Sequence, residues 1–291
     1  MIVIDFLNNN SGAFLLLALI VGLIVGSFLN VVIHRLPKMM EQQWHKDCDE
    51  LKGLTSESSN ETEVYNLNTP ASHCPKCQHR IRPWENIPVI SWLVLKGRCS
   101  NCQNPISARY PIIESVTGLL SLWIAYHFGF SWEAAAAMLL TWSLIALTVI
   151  DFDVQLLPDN ITLPFLWLGL LFNINGLFTD LESSVIGAIA GYMALWSVYQ
   201  LFKKLTGKEG MGYGDFKLLA MLGAWLGWQY LPQIILLSAL VGAVVGILLI
   251  VVRGRDRNIP IPFGPYLAAA GWISLMWGSQ INQAYLRWSG L

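Results

Sequence analysis

The sequence has 291 residues, of which 54% are hydrophobic and only 13% are charged, whereas a typical soluble domain carries about 25% charged residues. This composition excludes an ordinary water-soluble globule, a disordered chain, a collagen-like repeat and a disulfide-rich secreted scaffold, and it indicates a membrane protein. The net charge of −1 gives no electrostatic basis for binding a nucleic acid.

Apolar segments close to the roughly 20 residues of a membrane-spanning helix occur along most of the chain. They predict an all-α polytopic membrane protein with about eight transmembrane helices, at 13–34, 111–129, 133–151, 160–178, 184–203, 216–231, 233–252 and 262–280. We expect the first to be a retained helix rather than a signal peptide, because no basic residue precedes it and no small-residue cleavage motif interrupts it.

Lysine and arginine residues predict the orientation of these helices, because cytoplasmic loops contain an excess of both. With a periplasmic N-terminus, 17 of the 18 basic residues fall on the cytoplasmic side, and only Arg287 lies elsewhere. The loops that begin near residues 35, 203 and 253 are therefore expected to face the cytoplasm.

A polar stretch at 37–110 separates the first two predicted helices and indicates one cytoplasmic domain. The chain then divides into a first transmembrane helix at 1–36, this inserted domain, and a seven-helix membrane domain at 111–291. Charged and serine residues are frequent at 39–68, which predicts a solvated and partly flexible acidic insertion.

Two Cys-x2-Cys pairs lie in the polar domain, and the 21 residues between them are close to the spacing of zinc ribbons. The four residues are Cys74, Cys77, Cys99 and Cys102. Four thiolates complete a closed tetrahedral site, which predicts structural Zn²⁺ in a zinc-ribbon-like domain without an open position for catalysis. Reduced thiols without metal and a redox pair are the alternatives, and Cys48 is expected to be an ordinary free thiol.

Ionisable residues at membrane depth are functional candidates, because burying a charge there is costly. Asp151 ends the third predicted helix and Asp215 begins the sixth, so both lie at the cytoplasmic boundary and can face each other. Two carboxylates in one site share a proton, and such a pair can hydrolyse a peptide bond as general base and general acid. Pairing of either carboxylate with a lysine such as Lys217 is the structural alternative.

Two nearby acids fit a catalytic role less well. Asp153 is two positions from Asp151 and therefore on another face of the helix. Asp159 follows Pro158 and precedes an apolar run, which predicts an N-cap of the fourth helix.

Gly212 and Gly214 lie just before and within the segment that leads to Asp215. We expect an active-site loop here that bends sharply and approaches an extended substrate closely. The glycine run at 210–214 lacks both phosphate-loop patterns and follows no strand, which argues against a nucleotide site.

Five segments form a combination that is much more specific than any one of them. They are 26–37, the two cysteine pairs with 86–92 between them, 107–114, 151–159, and the Gly-x-Gly-Asp motif at 212–215. Together they resemble the bacterial type IV prepilin peptidases, from about residue 26 to Pro265. The resemblance implies a bifunctional enzyme of the bacterial inner membrane. It would remove the basic leader of type IV prepilins or type II secretion pseudopilins and N-methylate the new N-terminal residue with S-adenosylmethionine.

The resemblance also implies roles for individual residues. It assigns the protease dyad to Asp151 and Asp215, at the cytoplasmic face, and it associates methyl transfer with the cysteine domain. No Rossmann glycine fingerprint is present, so the S-adenosylmethionine pocket must be of another kind. The candidates for it are Gly97, Arg98, Arg109 and Glu114. Zinc-knuckle geometry for the first two and an ion pair at the start of a helix for the others are the alternatives.

The implied partners are the pilin precursors and membrane lipid, without nucleic acid. An ion or metal transporter with a zinc-sensing domain is an alternative function, but transporters bind near the bilayer centre and often contain repeats. Both aspartates lie at one membrane edge instead. A non-catalytic scaffold of a secretion apparatus would not need acids at helix ends.

Overall fold

The computed structural model of the chain describes residues 2–53, 65–253 and 261–289. Helices dominate these ranges, and their β-structure consists of two isolated bridges in the cysteine domain. The chain divides into two compact units, Met1–Phe130 and Ser131–Leu291. The predicted all-α fold is confirmed for the part of the chain that is described.

Unit 1 contains, in its described residues, four α-helices and a 3₁₀ helix at Pro83–Asn86. The α-helices are α1 (Ile2–Asn9), α2 (Ser11–Leu51), α3 (Ile90–Val94) and α4 (Arg109–Phe128). α2 continues well past residue 34, where the apolar run ends, because Glu, Gln, Lys and Met are good helix formers even in water. Residues 39–51 of the predicted acidic insertion are therefore a largely exposed helix, and its residues 54–64 lie outside the described ranges.

α2 packs against α4 through small residues, as transmembrane helices do when their backbones approach closely. A β-carbon at Gly22 would lie 2.7 Å from Cβ of Ser121, and one at Gly26 would lie 2.7 Å from Cα of Glu114. Both distances are shorter than van der Waals contact allows. The Gly-x3-Gly spacing therefore keeps α2 and α4 side by side and brings Glu114 against α2.

Unit 2 consists of helices that follow the predicted spans. They are α5 (Trp132–Val154), α6 (Asp159–Asn173), α7 (Leu181–Thr206), α8 (Tyr213–Leu226), α9 (Leu231–Arg253) and α10 (Gly264–Ser289), with a 3₁₀ turn at Trp228–Tyr230. Four described helical segments are long and apolar enough to cross a membrane: α2, α5, α7 and Trp228–Val252. The protein is therefore a multi-pass membrane protein, whereas the count of eight spans stays a prediction.

α8 forms the core of unit 2 and packs against α6, α7 and α10. All its residues from Leu218 to Leu226 are buried. α7 approaches so closely that a β-carbon at Gly187 would collide with the backbone of Gly223. A helix that is apolar on every face belongs in such a buried position.

A buried amide fixes the C-terminal end of α8. Nδ2 of Asn173 donates to the carbonyls of Ala224 at 2.9 Å and Trp225 at 3.0 Å. The indole N–H of Trp225 donates to the carbonyl of Phe165 at 2.7 Å. Because unpaired polar groups are costly in an apolar interior, these bonds hold α8 in one register against α6.

Candidate active site

Asp151 and Asp215 lie at the ends of two different helices of unit 2. Asp151 is in the last turn of α5 and Asp215 in the first turn of α8, and the two residues are only 5% and 7% exposed. The ends of both helices pack around Leu157. A β-carbon at Gly214, beside Asp215, would lie 2.7 Å from Cβ of Leu157, and one at Gly264, which bonds to Asp151, would lie 3.1 Å from its Cδ2, so the structure brings the predicted pair into one region of unit 2. Asp153, two positions from Asp151, is exposed instead.

Both acids bond to the backbone of a glycine. Oδ2 of Asp151 accepts a hydrogen bond of 3.0 Å from the N–H of Gly264, and the main-chain N–H of Asp215 donates to the carbonyl of Gly212 at 3.2 Å. Sequence reasoning missed Gly264, because a glycine offers no side-chain chemistry and the bond joins residues 113 positions apart. The Gly-Pro pair at the start of the last apolar run was the signal that could have indicated it.

Gly264 begins α10 and has no room for a side chain. A β-carbon there would lie 2.7 Å from Oδ2 of Asp151 and 3.1 Å from Cδ2 of Leu157. Pro265 follows at a position where a missing N–H costs nothing, since the first N–H groups of a helix have no internal partner. The positive end of the α10 dipole therefore faces the Asp151 carboxylate.

The two glycines of the Gly-x-Gly-Asp motif do not form the sharp bend that the sequence predicted. Gly212 precedes α8 with φ −80° and ψ 148°, an extended conformation that any residue adopts. Gly214 lies inside the first turn of α8, where a β-carbon would lie 2.7 Å from Cβ of Leu157. Close packing, rather than bending, requires the second glycine.

The third acid near the pair is bound to a lysine. Nζ of Lys217 donates to Oδ1 and Oδ2 of Asp159 at 2.8 and 2.7 Å. The N-cap predicted for Asp159 is wrong, because Pro158 holds that position and Asp159 is the first helical residue. Its carboxylate turns to the lysine of α8 instead of to its own helix. The structural alternative, in which Lys217 neutralises Asp151 or Asp215, is therefore not observed.

A cluster of aromatic and charged side chains fixes the segment between α7 and α8. Tyr199 is 2% exposed, and its ring centroid lies 5.4 Å from that of Tyr213 and 5.6 Å from that of Phe216. Nζ of Lys203 bonds to the Tyr199 hydroxyl at 3.3 Å and to Oε1 of Glu209 at 2.7 Å. Tyr213 is the variable residue of the Gly-x-Gly-Asp motif, so this cluster, which the sequence did not reveal, holds the motif in place.

The four cysteines come together in unit 1, with all their sulfur atoms within 4.8 Å of one another. Sγ of Cys74 lies 3.7 Å from that of Cys102, and Sγ of Cys77 lies 4.0 Å from that of Cys99. Sulfurs placed 2.3 Å from a tetrahedral zinc ion would be about 3.8 Å apart. The cluster therefore fits a four-coordinate metal ion.

The two cysteine pairs share one local geometry. The N–H of Gln78 donates to the carbonyl of Cys74 at 2.9 Å, and the N–H of Gln103 donates to that of Cys99 at 3.1 Å. Both glutamines have a left-handed φ, of 58° and 57°. In the first turn, backbone N–H groups, foremost that of Cys77, point at the Cys74 sulfur and lower the pKa of this thiol to about 6. The N–H of Asn104 lowers the pKa of Cys102, but burial and the neighbouring thiols outweigh it and raise that pKa to about 11. Thiols this close together cannot all ionise without a nearby cation, which a metal ion supplies.

Of the four residues predicted for methyl transfer, two have exposed side chains and a third, a glycine, has none. Arg98 and Arg109 are exposed. Gly97 is buried, with φ 66°, and its N–H donates to the carbonyl of Trp92 at 2.8 Å. Gly97 therefore provides a left-handed backbone turn beside Cys99, which agrees with the zinc-knuckle alternative given above for this residue.

Glu114 is the buried member of that set, with 8% exposure. Its Oε2 accepts a hydrogen bond of 2.7 Å from the N–H of Val89, and its backbone packs against Gly26 of α2. The structure thus joins Glu114 to α2 and to the segment before α3.

Comparisons with known proteins match both units. Residues 20–128 match the bacterial peptidase A24 N-terminal domain, and residues 138–247 match the type IV leader peptidase family. The chain is 58% identical over 288 residues to the prepilin leader peptidase/N-methyltransferase of Stutzerimonas stutzeri, with 99% of both chains covered. This chain belongs to the type IV leader peptidase family.

Two further relatives with the same name extend the similarity. The chain is 57% identical to that of Pseudomonas aeruginosa, over 99% of this chain and 98% of the relative. It is 46% identical to that of Xanthomonas campestris, over 98% of this chain and 99% of the relative. No solved structure matches.

Family membership confirms the resemblance that five sequence segments indicated. The two candidate acids lie within the matched residues 138–247, and the four cysteines lie within 20–128. A leader peptidase family supports a protease and not the ion-transporter alternative.

Proposed function

We propose that this protein is a bifunctional enzyme of the bacterial inner membrane, which removes the leader peptide of type IV prepilins and N-methylates the residue so exposed. Relatives named prepilin leader peptidase/N-methyltransferase, similar over nearly their whole length, support both activities. The observation that carries the peptidase is the pair Asp151 and Asp215, buried at the ends of two helices that both pack around Leu157.

The pair hydrolyses a peptide bond by moving two protons. The ionised carboxylate takes a proton from water, whose oxygen attacks the scissile carbonyl carbon, while the protonated carboxyl donates its proton to the carbonyl oxygen. The C–N bond then breaks as the leaving nitrogen takes the first proton, and the second carboxylate recovers its own from the hydroxyl of the intermediate. The pair returns to its starting state with one shared proton.

The neighbouring charges suit this proton sharing. A cation held between the two acids would stabilise both as carboxylates and remove the general acid. Lys217 is the cation nearest along the chain to Asp215, and it is bound by Asp159. The dyad is therefore left to share its proton.

We propose that the N-terminus is periplasmic and that the active site faces the cytoplasm, as the basic residues favour. A prepilin is cut just before its own apolar helix, as the family resemblance implies. That helix can then stay in the lipid while the scissile bond reaches the pair at the membrane edge. Gly212 and Gly264 act there through backbone groups, which leaves space for an extended peptide.

The methyl donor of the second activity is S-adenosylmethionine, and Zn²⁺ is the ion that we propose for the four-cysteine site. When bound, S-adenosylmethionine supplies a methyl group on a positively charged sulfur, which an unprotonated amine accepts with the loss of one proton to water. The sulfur spacing supports a closed structural ion that shapes the domain. Type II secretion pseudopilins, with the same basic leader, are proposed as further substrates.

One experiment tests both activities. Full-length protein in detergent is incubated with a prepilin and S-adenosylmethionine, and the product is analysed by mass spectrometry. We expect a leaderless product with one added methyl group from the wild type and from Asp153→Asn, the exposed control, but no cleavage by Asp151→Asn or Asp215→Asn. Cleavage by both dyad variants would refute the assignment. A cleaved but unmethylated wild-type product would confine the enzyme to proteolysis.

A further inference from the structure

A cavity of about 550 Å³ lies within unit 1, where α2, α4 and the cysteine domain meet. Pockets for small molecules have volumes of about 300–1,000 Å³, so this cavity is large enough for a cofactor-sized ligand. Its walls combine aromatic, polar and acidic side chains, among them Asn30, Tyr65, Trp92, Tyr110 and Glu114. Asp151 and Asp215, the proposed peptidase pair, are not among its described lining residues.

One wall is built around the indole of Trp92. Its Nε1 donates to the carbonyl of Ile106 at 3.2 Å, and the N–H of Ile106 donates to the carbonyl of Gly97 at 2.7 Å. A β-carbon at Gly97 would lie 2.9 Å from the indole ring. The absence of a side chain at residue 97 therefore lets the Trp92 ring lie against the knuckle as a fixed surface for stacking.

A buried carboxylate forms another part of the wall. The Glu114 carboxylate accepts a hydrogen bond of 2.7 Å from the N–H of Val89. Val89 has φ 61°, which is a strained conformation for a β-branched residue. Strain of this kind persists where the surroundings fix it, and it is frequent at functional sites. The bond from Glu114 thus fixes the segment that carries Trp92 and keeps the carboxylate at the cavity.

The described lining of the cavity contains two acids, one arginine and three histidines, so acids outnumber the permanently charged bases. Arg35 is the only lysine or arginine among the described lining residues. Its guanidinium is already bound to the carbonyls of Asn66 and Pro70, at 2.9 and 2.7 Å. Glu85 also lines the cavity, and the backbone N–H of Arg82 is the main cause that lowers its pKa. Its Oε2 lies 3.5 Å from Nε2 of His79, which leaves Glu114 as the acid of the described lining that has no ion pair with a basic residue.

We propose that this cavity binds S-adenosylmethionine, with the adenine stacked on Trp92 and the positive charge of the ligand balanced by Glu114. The proposal rests on the methyltransferase half of the proposed function. Aromatic rings stack on nucleobases and attract cations, and a compact cationic ligand without phosphate matches the charges just described. Cys74 and Cys99 also line the cavity, so the four-cysteine cluster forms part of the wall of the binding site.

The test is direct binding of tritiated S-adenosylmethionine to full-length protein in detergent, by equilibrium dialysis, with no pilin present. We expect Trp92→Ala to weaken binding at least about tenfold, as loss of one base–aromatic stack does. Trp84→Ala is the matched control, because Trp84 lies in the same domain, is 62% exposed and is not among the lining residues. Glu114→Gln keeps an acceptor for the Val89 N–H but removes the charge. Weaker binding by this variant would therefore show that the Glu114 charge stabilises the cationic ligand.

Two further measurements separate loss of the site from loss of the fold. Metal content per chain shows whether each variant keeps the cysteine domain intact. Ultraviolet cross-linking of the tritiated ligand to the wild type, followed by peptide mapping, should label peptides from 27–35 or 86–114. Wild-type affinity in both variants, or labelling elsewhere in the chain, would overturn the proposed site while methylation by the wild type persists. A wild type that neither binds the ligand nor methylates would refute the methyltransferase proposal and, with it, the site.

Discussion

Lys217 bonds to both carboxylate oxygens of Asp159, at 2.8 and 2.7 Å, and lies two residues along α8 from Asp215. The ion pair joins the N-terminal ends of α6 and α8. It binds the Lys217 ammonium group to Asp159, which is not part of the dyad. It is partly exposed, with 28% of the lysine side chain and 48% of the aspartate side chain accessible, so its contribution to stability is modest.

Breaking this ion pair should slow cleavage without abolishing it. We expect Asp159→Asn and Lys217→Met each to lower the cleavage rate a few-fold, because exposed pairs contribute about 0.2–1 kcal/mol. The double variant should be no slower than the worse single variant, since both changes remove the same interaction. Initial rates on a prepilin measure this. A loss for Asp159→Asn as complete as that for Asp215→Asn would make Asp159 part of the chemistry.

Gly264→Ala should damage the peptidase severely. The new β-carbon would lie 2.7 Å from Oδ2 of Asp151, so the carboxylate or α10 must move. A misplacement near 1 Å can cost about 10²-fold in rate. Gly246→Ala on α9 is the control, because a β-carbon there would make an ordinary contact of 3.4 Å. Equal rates for the two variants would contradict the role given to Gly264.

Removing the Tyr199 hydroxyl should lower kcat more than it changes KM. Tyr199→Phe keeps the ring packing on Tyr213 and Phe216 but loses the bond to Lys203. A hydrogen bond contributes about 0.5–1.5 kcal/mol, which predicts a rate several-fold lower if the bond positions the Gly-x-Gly-Asp motif. Tyr192→Phe, which keeps a ring beside Phe216, is the comparison. The positioning role is wrong if both variants match the wild type.

The cysteine cluster should hold one zinc ion per chain when the protein is purified without chelator. Cys99→Ser should lose most of this metal, because a closed site depends on all four thiolates. Cys48→Ser should retain it, since Cys48 is an exposed residue of α2 outside the cluster. Elemental analysis measures the zinc content per chain of both variants. Full zinc occupancy in Cys99→Ser would refute the four-cysteine site.

The sequence indicated the features that depend on local pattern. Apolar runs located α2 and α4 of unit 1 and the six α-helices of unit 2, because the cost of polar groups in lipid determines where a helix can cross. They did not predict the short helices α1 and α3. The spacing of Cys74, Cys77, Cys99 and Cys102 predicted one cluster, because a Cys-x2-Cys turn presents both sulfurs to one ion. Asp151 and Asp215 were identified because acids at membrane depth are rare.

Features that depend on distant backbone could not be predicted in this way. The N–H of Gly264 meets Asp151 across 113 residues, and Asp159 meets Lys217 across 58. The local sequence predicted an N-cap at Asp159, but in the folded protein this carboxylate bonds to Lys217 of α8 instead. Trp92 likewise lines a cavity, and Val89 bonds to Glu114 of α4, through tertiary contacts that no local pattern contains.

The central claim is that Asp151 and Asp215 act as one catalytic unit, and the rate of leader cleavage in a double-mutant cycle tests it most directly. Single-turnover rates are measured for Asp151→Asn, Asp215→Asn and the double variant on one prepilin. Because residues that act as a unit are strongly non-additive, we predict that each single variant is as inactive as the double. Substantial cleavage by either single variant, or losses that multiply in the double, would contradict a shared-proton dyad.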